Sequence, residues 1–186
     1  MTKLKSCTHF LGVFLCMVIS SITWAGLYPA KVTFQHMLAN KDVVLGEVRA
    51  MYQDSDGFMW LGGWNALVRY DGYEFRQFDL LREDASGVTS TKVKGTVDIL
   101  EDSRDTLWFA TANGVVVYDR NKERLVQLEN DANQAASIKD VFINQFLELP
   151  SGHILAVSEG GVFSIDPKTL NYTAYLPKAE GLNSQD

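Results

Sequence analysis

The chain has 186 residues and an acidic balance, with 17 lysines and arginines against 23 aspartates and glutamates and a net charge of −6 at pH 7. A surface of this sign repels phosphate backbones and anionic headgroups, which argues against nucleic acids and membrane surfaces as partners. Both cysteines, Cys7 and Cys16, lie in the first 25 residues. We therefore expect no disulfide, thiol nucleophile or cysteine-ligated metal in the remainder of the chain.

The N-terminal segment has the pattern of an export signal. Lys3 and Lys5 precede an apolar run over residues 10–19, and Thr23 and Ala25 stand at the −3 and −1 positions of a small-residue cleavage site. The run is shorter than the roughly 20 residues that a membrane-spanning helix needs, although residues 22–24 could extend it. The sequence predicts a signal peptide over 1–25 and an exported, periplasmic chain, and an uncleaved membrane anchor is the alternative.

A sequence repeat follows at a shift of 48 residues. Residues 54–71 read DSDGFMWLGGWNALVRYD, and residues 102–119 read DSRDTLWFATANGVVVYD. Residues that recur unchanged in the second copy include Asp54, Ser55, Trp60, Asn65, Tyr70 and Asp71. A weaker third copy follows at a shift of 47, with Leu155 in the place of Trp108. A near-constant spacing of this length is typical of repeat architectures such as propellers.

Each copy predicts short strands separated by turns rather than helices. In the first copy the predicted strands are 48–53, 58–61, 67–70 and 74–78, with turn chemistry at 54–57, 63–66 and 71–72. Residues 81–94 and 130–140 are rich in Ser, Thr, Asn and Asp, and we expect them to be polar loops. Four short antiparallel strands in about 45 residues match one blade of a β-propeller.

The predicted fold class is therefore all-β, with β-propeller blades of four antiparallel strands. We place the signal peptide at 1–25, a lead-in strand region at 26–43 and the propeller repeats at 44–186. Within the repeats the blades cover approximately 44–80, 93–129 and 140–176, with the start of a fourth at 180–186. Closed propellers have about 4–8 blades, so three blades predict an incomplete propeller and a fragment of a longer protein.

The first copy resembles the two-component regulator propeller repeat, which reads roughly D-x-x-G-x-[LI]-W-[IL]-G-T-x-x-G-[LI]-x-[RK]-[FY]-D. It departs at Gly63, where that family usually has Thr, and at Ala66, where it usually has Gly. The second copy departs at Asp105 but keeps Thr111 and Gly114. The resemblance implies the ligand-sensing periplasmic region of a transmembrane receptor with a histidine kinase or diguanylate cyclase output domain. It implies no enzyme activity in this segment and carries over no ligand residue.

Trp64 is the candidate ligand contact that the repeat does not explain, because Ala112 and Glu159 stand at its position in the other copies. If the turns 63–66 and 112–114 are equivalent, Asn65 and Asn113 face the same end of adjacent blades. A tryptophan face and amide groups suit a small hydroxyl-rich ligand such as a carbohydrate. The alternative is that both asparagines only tolerate left-handed turn geometry.

The remaining candidate residues favour structural roles. Trp60, Trp108 and Leu155 are expected to occupy equivalent, largely buried positions on the second strand of three sheets. The two tryptophans are expected to pack between blades, with sugar stacking as the alternative. Asp54 and Asp102 are expected to cap turns, because the spacing lacks the oxygen-rich loop that Ca²⁺ needs. We predict no catalytic residue, no metal and no cofactor. Further propeller blades or a second protomer are expected as partners, beside an unknown small molecule or carbohydrate.

Two other functions compete with the sensor function, a sialidase-like enzyme and a secreted scaffold. A sialidase-like propeller has one residue between the aspartate and glycine of its Asp-box, whereas Asp56 and Gly57 are adjacent. The two histidines after residue 25, His36 and His153, lie in unrelated contexts and form no triad or metal cluster in the sequence. A secreted scaffold propeller without signalling output stays open as the alternative function.

Overall fold

The structure is a computed structural model that describes residues 43–84, 87–129, 136–139 and 141–176. The predicted signal peptide, nearly all of the lead-in region and the start of the fourth blade lie outside the described residues. Within the described ranges the chain forms thirteen strands and no helix, so no helix there could span a membrane. The all-β prediction is confirmed.

Twelve of the strands form three consecutive four-stranded antiparallel meanders. Sheet 1 consists of β1 (Val48–Gln53), β2 (Met59–Gly63), β3 (Leu67–Tyr70) and β4 (Phe75–Asp84). Sheet 2 consists of β6 (Asp98–Glu101), β7 (Leu107–Thr111), β8 (Gly114–Asp119) and β9 (Arg124–Gln127). Sheet 3 consists of β10 (Ile143–Glu148), β11 (Ile154–Ser158), β12 (Gly161–Ile165) and β13 (Tyr172–Tyr175).

The structure corrects the prediction of a polar loop over 81–94. Strand β4 continues to Asp84, and a further strand, β5 (Gly87–Lys92), pairs with its second half from Asp79↔Lys92 to Asp84↔Gly87. Leu80 also bridges to Leu125 of β9 in parallel, so β4 joins sheets 1 and 2. Val and Thr have high strand propensity despite the polarity of this segment, which is why composition alone misread it.

The first turn of each sheet has the same conformation. Its fourth residue has a positive φ in all three sheets: 89° at Gly57, 62° at Asp105 and 80° at Gly152. The N–H of this residue donates to the carbonyl three positions earlier at 2.8–2.9 Å. Aspartate tolerates the left-handed region better than most residues because its short side chain can bond locally. The departure from the family pattern at Asp105 therefore leaves the turn intact.

The two repeated tryptophans form the core between the sheets. Trp60 and Trp108 are each the second residue of their strand and are fully buried, which confirms the expected packing role. The Trp60 ring lies 5.0–5.1 Å, centroid to centroid, from the rings of Phe78, Phe109 and Tyr118 at the boundary of sheets 1 and 2. Aromatic pairs at this spacing add to the area term of burial.

Leu155 matches the tryptophans in position but not in burial. It is the second residue of β11, as predicted, yet it is only half-buried. Its direct strand partners are Leu147 and Ser164, whereas the face of sheet 3 toward sheet 2 carries the buried residues Ile154 and Phe163. The expectation of a largely buried Leu155 is therefore wrong, because within the described residues no sheet packs over its face.

Candidate ligand-binding site

The predicted site residues lie at one end of the sheets. Consecutive turns of an antiparallel meander lie at alternate ends, so the β2–β3, β7–β8 and β11–β12 turns share an end, here called the upper end. It carries residues 64–66, 112–113 and 159–160. The opposite, lower end carries the first and third turns of each sheet, among them 54–58 and 71–74.

Trp64 is held by its backbone while its side chain stays accessible. Its N–H donates to the carbonyl of Glu47 at 3.0 Å, and its own carbonyl accepts from the N–H of Gly95 at 3.0 Å. The side chain is 46% exposed. The Arg49 guanidinium lies 5.1 Å from the ring centroid. A cation at this distance is attracted to the π-face and helps to fix the orientation of the ring.

Gly95 marks the point where the three sheets meet at the upper end. It has a φ of 60°, and a Cβ built on it lies 3.1 Å from Cβ of Ala112, 3.4 Å from Cζ3 of Trp64 and 3.6 Å from Cε2 of Phe142. Those neighbours belong to the turn of sheet 1, the turn of sheet 2 and the entry to sheet 3. The Trp64 ring therefore sits on a shared junction. Sequence reasoning missed Gly95 and Phe142, although a glycine closing a predicted loop was a usable signal.

The two predicted asparagines have different surroundings. Asn65 is exposed beside Trp64, and its N–H donates to the carbonyl of Leu45 at 3.2 Å. Asn113 is half-buried, and its Oδ1 accepts from the N–H of Lys94 at 3.1 Å. Neither asparagine has a positive φ. The alternative that they serve left-handed turns is therefore wrong. Because residues 94 and 95 contact both turns, the structure brings the Asn113 turn next to the Trp64 turn.

The aspartates at the lower end have structural partners. Asp54 Oδ2 accepts from the Trp60 indole N–H at 2.7 Å, and Oδ1 accepts from the N–H of Phe58 at 2.8 Å. Asp102 accepts from the Trp108 indole N–H and from the N–H of Thr106, both at 2.9 Å. The turn-capping prediction is confirmed, with the buried indole as an added donor. Among the described residues no group of three His, Cys, Asp or Glu side chains could hold a metal ion.

A repeated contact joins neighbouring sheets at the lower end. The carboxylate of Glu101 accepts from the hydroxyl and N–H of Ser55 at 2.6 and 2.9 Å. Glu148 accepts from the same groups of Ser103 at 2.5 and 3.0 Å. In both cases the glutamate ends the first strand of the next sheet. We call this contact the Ser–Glu clamp. It could have been found from sequence, because Glu101 and Glu148 occupy equivalent repeat positions.

Arg120 reinforces the first of the two clamps. Its guanidinium donates to Glu101 Oε1 at 2.5 Å, to the carbonyl of Asp105 at 2.8 Å and to the carboxylate of Asp56. Burial, followed by the Glu101 charge, raises the pKa of the Tyr52 hydroxyl, which lies 3.4 Å from Glu101. Arg120 was missed because the repeat pattern does not show which residues of other turns it contacts. These contacts use the charges at this end to hold two sheets together.

Two grooves lie away from the upper end. One, of about 380 Å³, opens between the lower turns of sheets 2 and 3 and is flanked by Arg104 and Lys168. The other, of about 490 Å³, lies on sheet 3 and is lined by polar groups that include His153, Asp166 and Tyr175. Neither is lined by a predicted site residue. The candidate site is therefore separate from both grooves.

Comparison with known proteins supports the resemblance of the first repeat. Residues 44–65 match the family model described as two component regulator propeller. This match falls on the copy whose motif is best preserved, and it confirms the predicted resemblance there. No curated protein sequence matches the chain significantly.

Solved structures show the same fold. The chain is similar to the extracellular domain of a proposed hybrid two component system from B. thetaiotaomicron, at 17% identity and a TM-score of 0.58 over 72% of this chain and 19% of that one. It is also similar to the extracellular domain of a proposed one component system from B. thetaiotaomicron, at 21% identity and a TM-score of 0.52 over 67% of this chain and 17% of that one.

A weaker likeness, to virginiamycin B lyase from Staphylococcus aureus, has 12% identity and a TM-score of 0.37 over 69% of this chain and 55% of that one, and it carries no argument. This chain spans less than a fifth of the length of the two B. thetaiotaomicron structures. The likeness to the two B. thetaiotaomicron domains supports the fold, which is all-β and of the propeller type.

Proposed function

We propose that this chain is the ligand-sensing propeller region of an exported signal-transduction receptor, with the upper end as its ligand-contact surface. The family match at 44–65 and the likeness to extracellular domains of signalling systems support this proposal. In it the chain is periplasmic, as the N-terminal pattern predicts, and has no catalytic residue of its own. The histidine kinase or diguanylate cyclase output belongs to another segment of the receptor.

The accessible Trp64 ring at the junction of three sheets is the observation that carries the proposal. The ring offers an apolar face to a pyranose-type ligand, and the Asn65 amide adds a donor and an acceptor. Asn113 Oδ1 already accepts from Lys94, so we assign Asn113 a donor role through Nδ2. A ligand at this point would touch groups positioned by three sheets. Binding could then change how the sheets sit against one another.

The test is the dose response of the intact receptor carrying Trp64→Ala toward its natural stimulus. Loss of an aromatic stacking face worth about 1.4 kcal/mol should raise the half-maximal concentration about tenfold. The maximal response and the protein level should stay unchanged, because the side chain of Trp64 is half outside the packed core. Unchanged dose dependence at normal protein levels would reject Trp64 as a ligand contact and favour the scaffold function.

Tyr73→Ala is the matched control variant. Tyr73 is an aromatic residue on a turn of the same sheet, is 96% exposed and lies at the lower end. Its removal should leave the dose response unchanged. If both variants shift the response equally, the effect comes from the fold rather than from contact at the upper end.

A further inference from the structure

The groove between the lower turns of sheets 2 and 3, here called the lower groove, has an apolar floor and a charged rim. Val117 and Val126 of sheet 2 and Leu170 of sheet 3 form the floor. Arg104, on the first turn of sheet 2, and Lys168, on the third turn of sheet 3, are exposed on the rim. At about 380 Å³ the groove has room for a small molecule, since ligand pockets occupy roughly 300–1,000 Å³.

The floor contains two valines in positions that arginines occupy in sheet 1. Arg69 lies opposite Arg76 on β3 and β4. The equivalent pair on β8 and β9 is Val117 opposite Val126. This exchange removes two long charged side chains and leaves two short apolar ones. Sheet 2 therefore presents an apolar surface where sheet 1 presents a basic one.

The two arginines of sheet 1 bond directly to sheet 2. Arg69 Nη1 donates to the Tyr118 hydroxyl at 3.1 Å. Arg76 Nη1 donates to Glu123 Oε2 at 2.8 Å. The repeat equivalent of Glu123 is Leu170, and both residues have a positive φ, of 46° and 59°. The ion pair that joins sheets 1 and 2 is therefore replaced by apolar side chains between sheets 2 and 3, and the groove opens there.

Two other charged residues of the groove already have partners within the protein. Arg120 donates to the carboxylates of Asp56 and Glu101. Asp119 accepts from two turn N–H groups and lies 3.6 Å from Nζ of Lys122. Because these charges are compensated, they contribute little attraction for a ligand.

Arg104 and Lys168 have no such compensation. Over the residues that the structure describes, no carboxylate oxygen lies within 4.0 Å of either side-chain cation. Arg104 Nη1 donates to the carbonyl of Gly152 at 3.4 Å, and a guanidinium has further N–H donors that suit a carboxylate. Asp105 adds one exposed carboxylate to the rim, so two cations against one anion leave a charge of +1. On a chain with a net charge of −6 this is a locally positive site.

We propose that the lower groove binds a small organic monocarboxylate. Its apolar body lies on Val117, Val126 and Leu170, and its carboxylate pairs with Arg104 and Lys168. One negative charge on the ligand matches the excess positive charge of the rim. Because the two cations belong to different sheets, the bound ligand joins sheets 2 and 3. The site lies at the opposite end from Trp64, so it does not depend on the proposed sensor function.

Ligand-observed nuclear magnetic resonance of the full chain with phenylacetate tests the ligand class. We expect a dissociation constant on the order of 1 mM, which is ordinary for a ligand of this size. Phenylacetamide has the same shape without the charge and should bind about tenfold more weakly. Acetate keeps the charge but lacks the apolar body and should also bind about tenfold more weakly. Equal affinity for phenylacetate and either control, or no binding of phenylacetate at about 10 mM, would overturn the proposal.

Charge variants test the two cations separately. Arg104→Gln and Lys168→Gln alter exposed side chains, so the core stays intact. Each should weaken phenylacetate binding about threefold and leave phenylacetamide binding unchanged. Lys92→Gln is the matched control, because it removes the same charge from an exposed position on β5, outside the groove. It should change neither affinity.

Thr106→Phe tests the location of the site by filling the groove. Thr106 lines the groove, and Phe58 stands at its repeat equivalent in sheet 1. The variant should abolish binding of phenylacetate, with circular dichroism as the check on folding. Binding that neither the glutamine variants nor Thr106→Phe weakens, or that Lys92→Gln weakens as much as Lys168→Gln does, would overturn the proposal. These measurements involve neither the upper end nor signalling, so their failure is distinguishable from failure of the proposed function.

Discussion

Replacement of Trp108 by leucine should be costly because it leaves a buried carboxylate behind. The Trp108 side chain is fully buried and Asp102 is 3% exposed. The indole N–H donates to Asp102 Oδ2 at 2.9 Å, while Oδ1 accepts from two turn N–H groups. The third repeat has exchanged both members together, with Leu149 and Leu155 at these positions. The two residues therefore depend on each other, and replacing only one of them should destabilise the fold.

The magnitude follows from two separate terms. Truncation of a buried aromatic residue to alanine costs about 3–5 kcal/mol, and leucine at 108 should recover part of that volume. The orphaned Oδ2 of Asp102 adds about 1–3 kcal/mol, because it is desolvated without a donor. Adding Asp102→Leu removes the orphan. The double variant should therefore be about 1–3 kcal/mol more stable than the sum of the two single changes predicts.

The assay is urea unfolding followed by far-ultraviolet circular dichroism for the parent, both single variants and the double variant. A control cycle combines Trp108→Leu with Leu45→Ala, which belongs to a separate apolar cluster of sheet 1. Those two changes should add to within about 0.5 kcal/mol. If the Trp108 and Asp102 changes add equally well, the indole–carboxylate bond contributes nothing specific and the reasoning fails.

Three further predictions concern other contacts. Glu101→Gln should destabilise the chain by about 1–3 kcal/mol, and by more than Glu148→Gln, because Arg120 also loses its anionic partner; urea midpoints compare the two. The N–H groups of Glu74 and Tyr73 lower the pKa of Asp71, so its contribution is present above its unfolded pKa and is lost as pH falls below about 4. Asp71→Asn should flatten that acid-side loss in unfolding curves. Gly95→Ala should cost about 1–2 kcal/mol in thermal unfolding, and an unchanged melting temperature would contradict the close approach at that residue.

The repeat made most of the fold predictable. Strands β1 and β3 have the predicted bounds, and β2 differs by one or two residues at each end, because turn residues mark where each strand must stop. The buried tryptophans followed from their recurrence at one position. Polar composition misled the reading of 81–94, because β-branched Thr and Val residues pair as strands even when no core lies beneath them. The Leu80↔Leu125 bridge joins residues that are distant in sequence, so composition could not supply it.

The candidate site was predictable only in part. Trp64 stood out because the other copies lack it, and the structure places it at an accessible junction. The approach of Gly95 to Trp64 and Phe142 depends on how three sheets pack against each other, and a local sequence pattern does not show this packing. Arg120 was missed because its role depends on contacts with Asp56 and Glu101, which the sequence pattern does not show. Recurring residues identify the structural positions that the repeats share, whereas contacts between different turns follow only from the three-dimensional structure.

Strand β4 has a mechanical consequence. Its first half is hydrogen-bonded in sheet 1, and its second half pairs with β5 and meets β9 of sheet 2. Peeling sheet 1 away from sheet 2 would therefore require breaking backbone bonds as well as apolar contacts. Among the strands that the structure describes, sheet 3 shares none of this kind with sheet 2. Under a pulling force applied along the chain, sheet 3 should detach first, at low force. Sheets 1 and 2 should then rupture together as one resistant block.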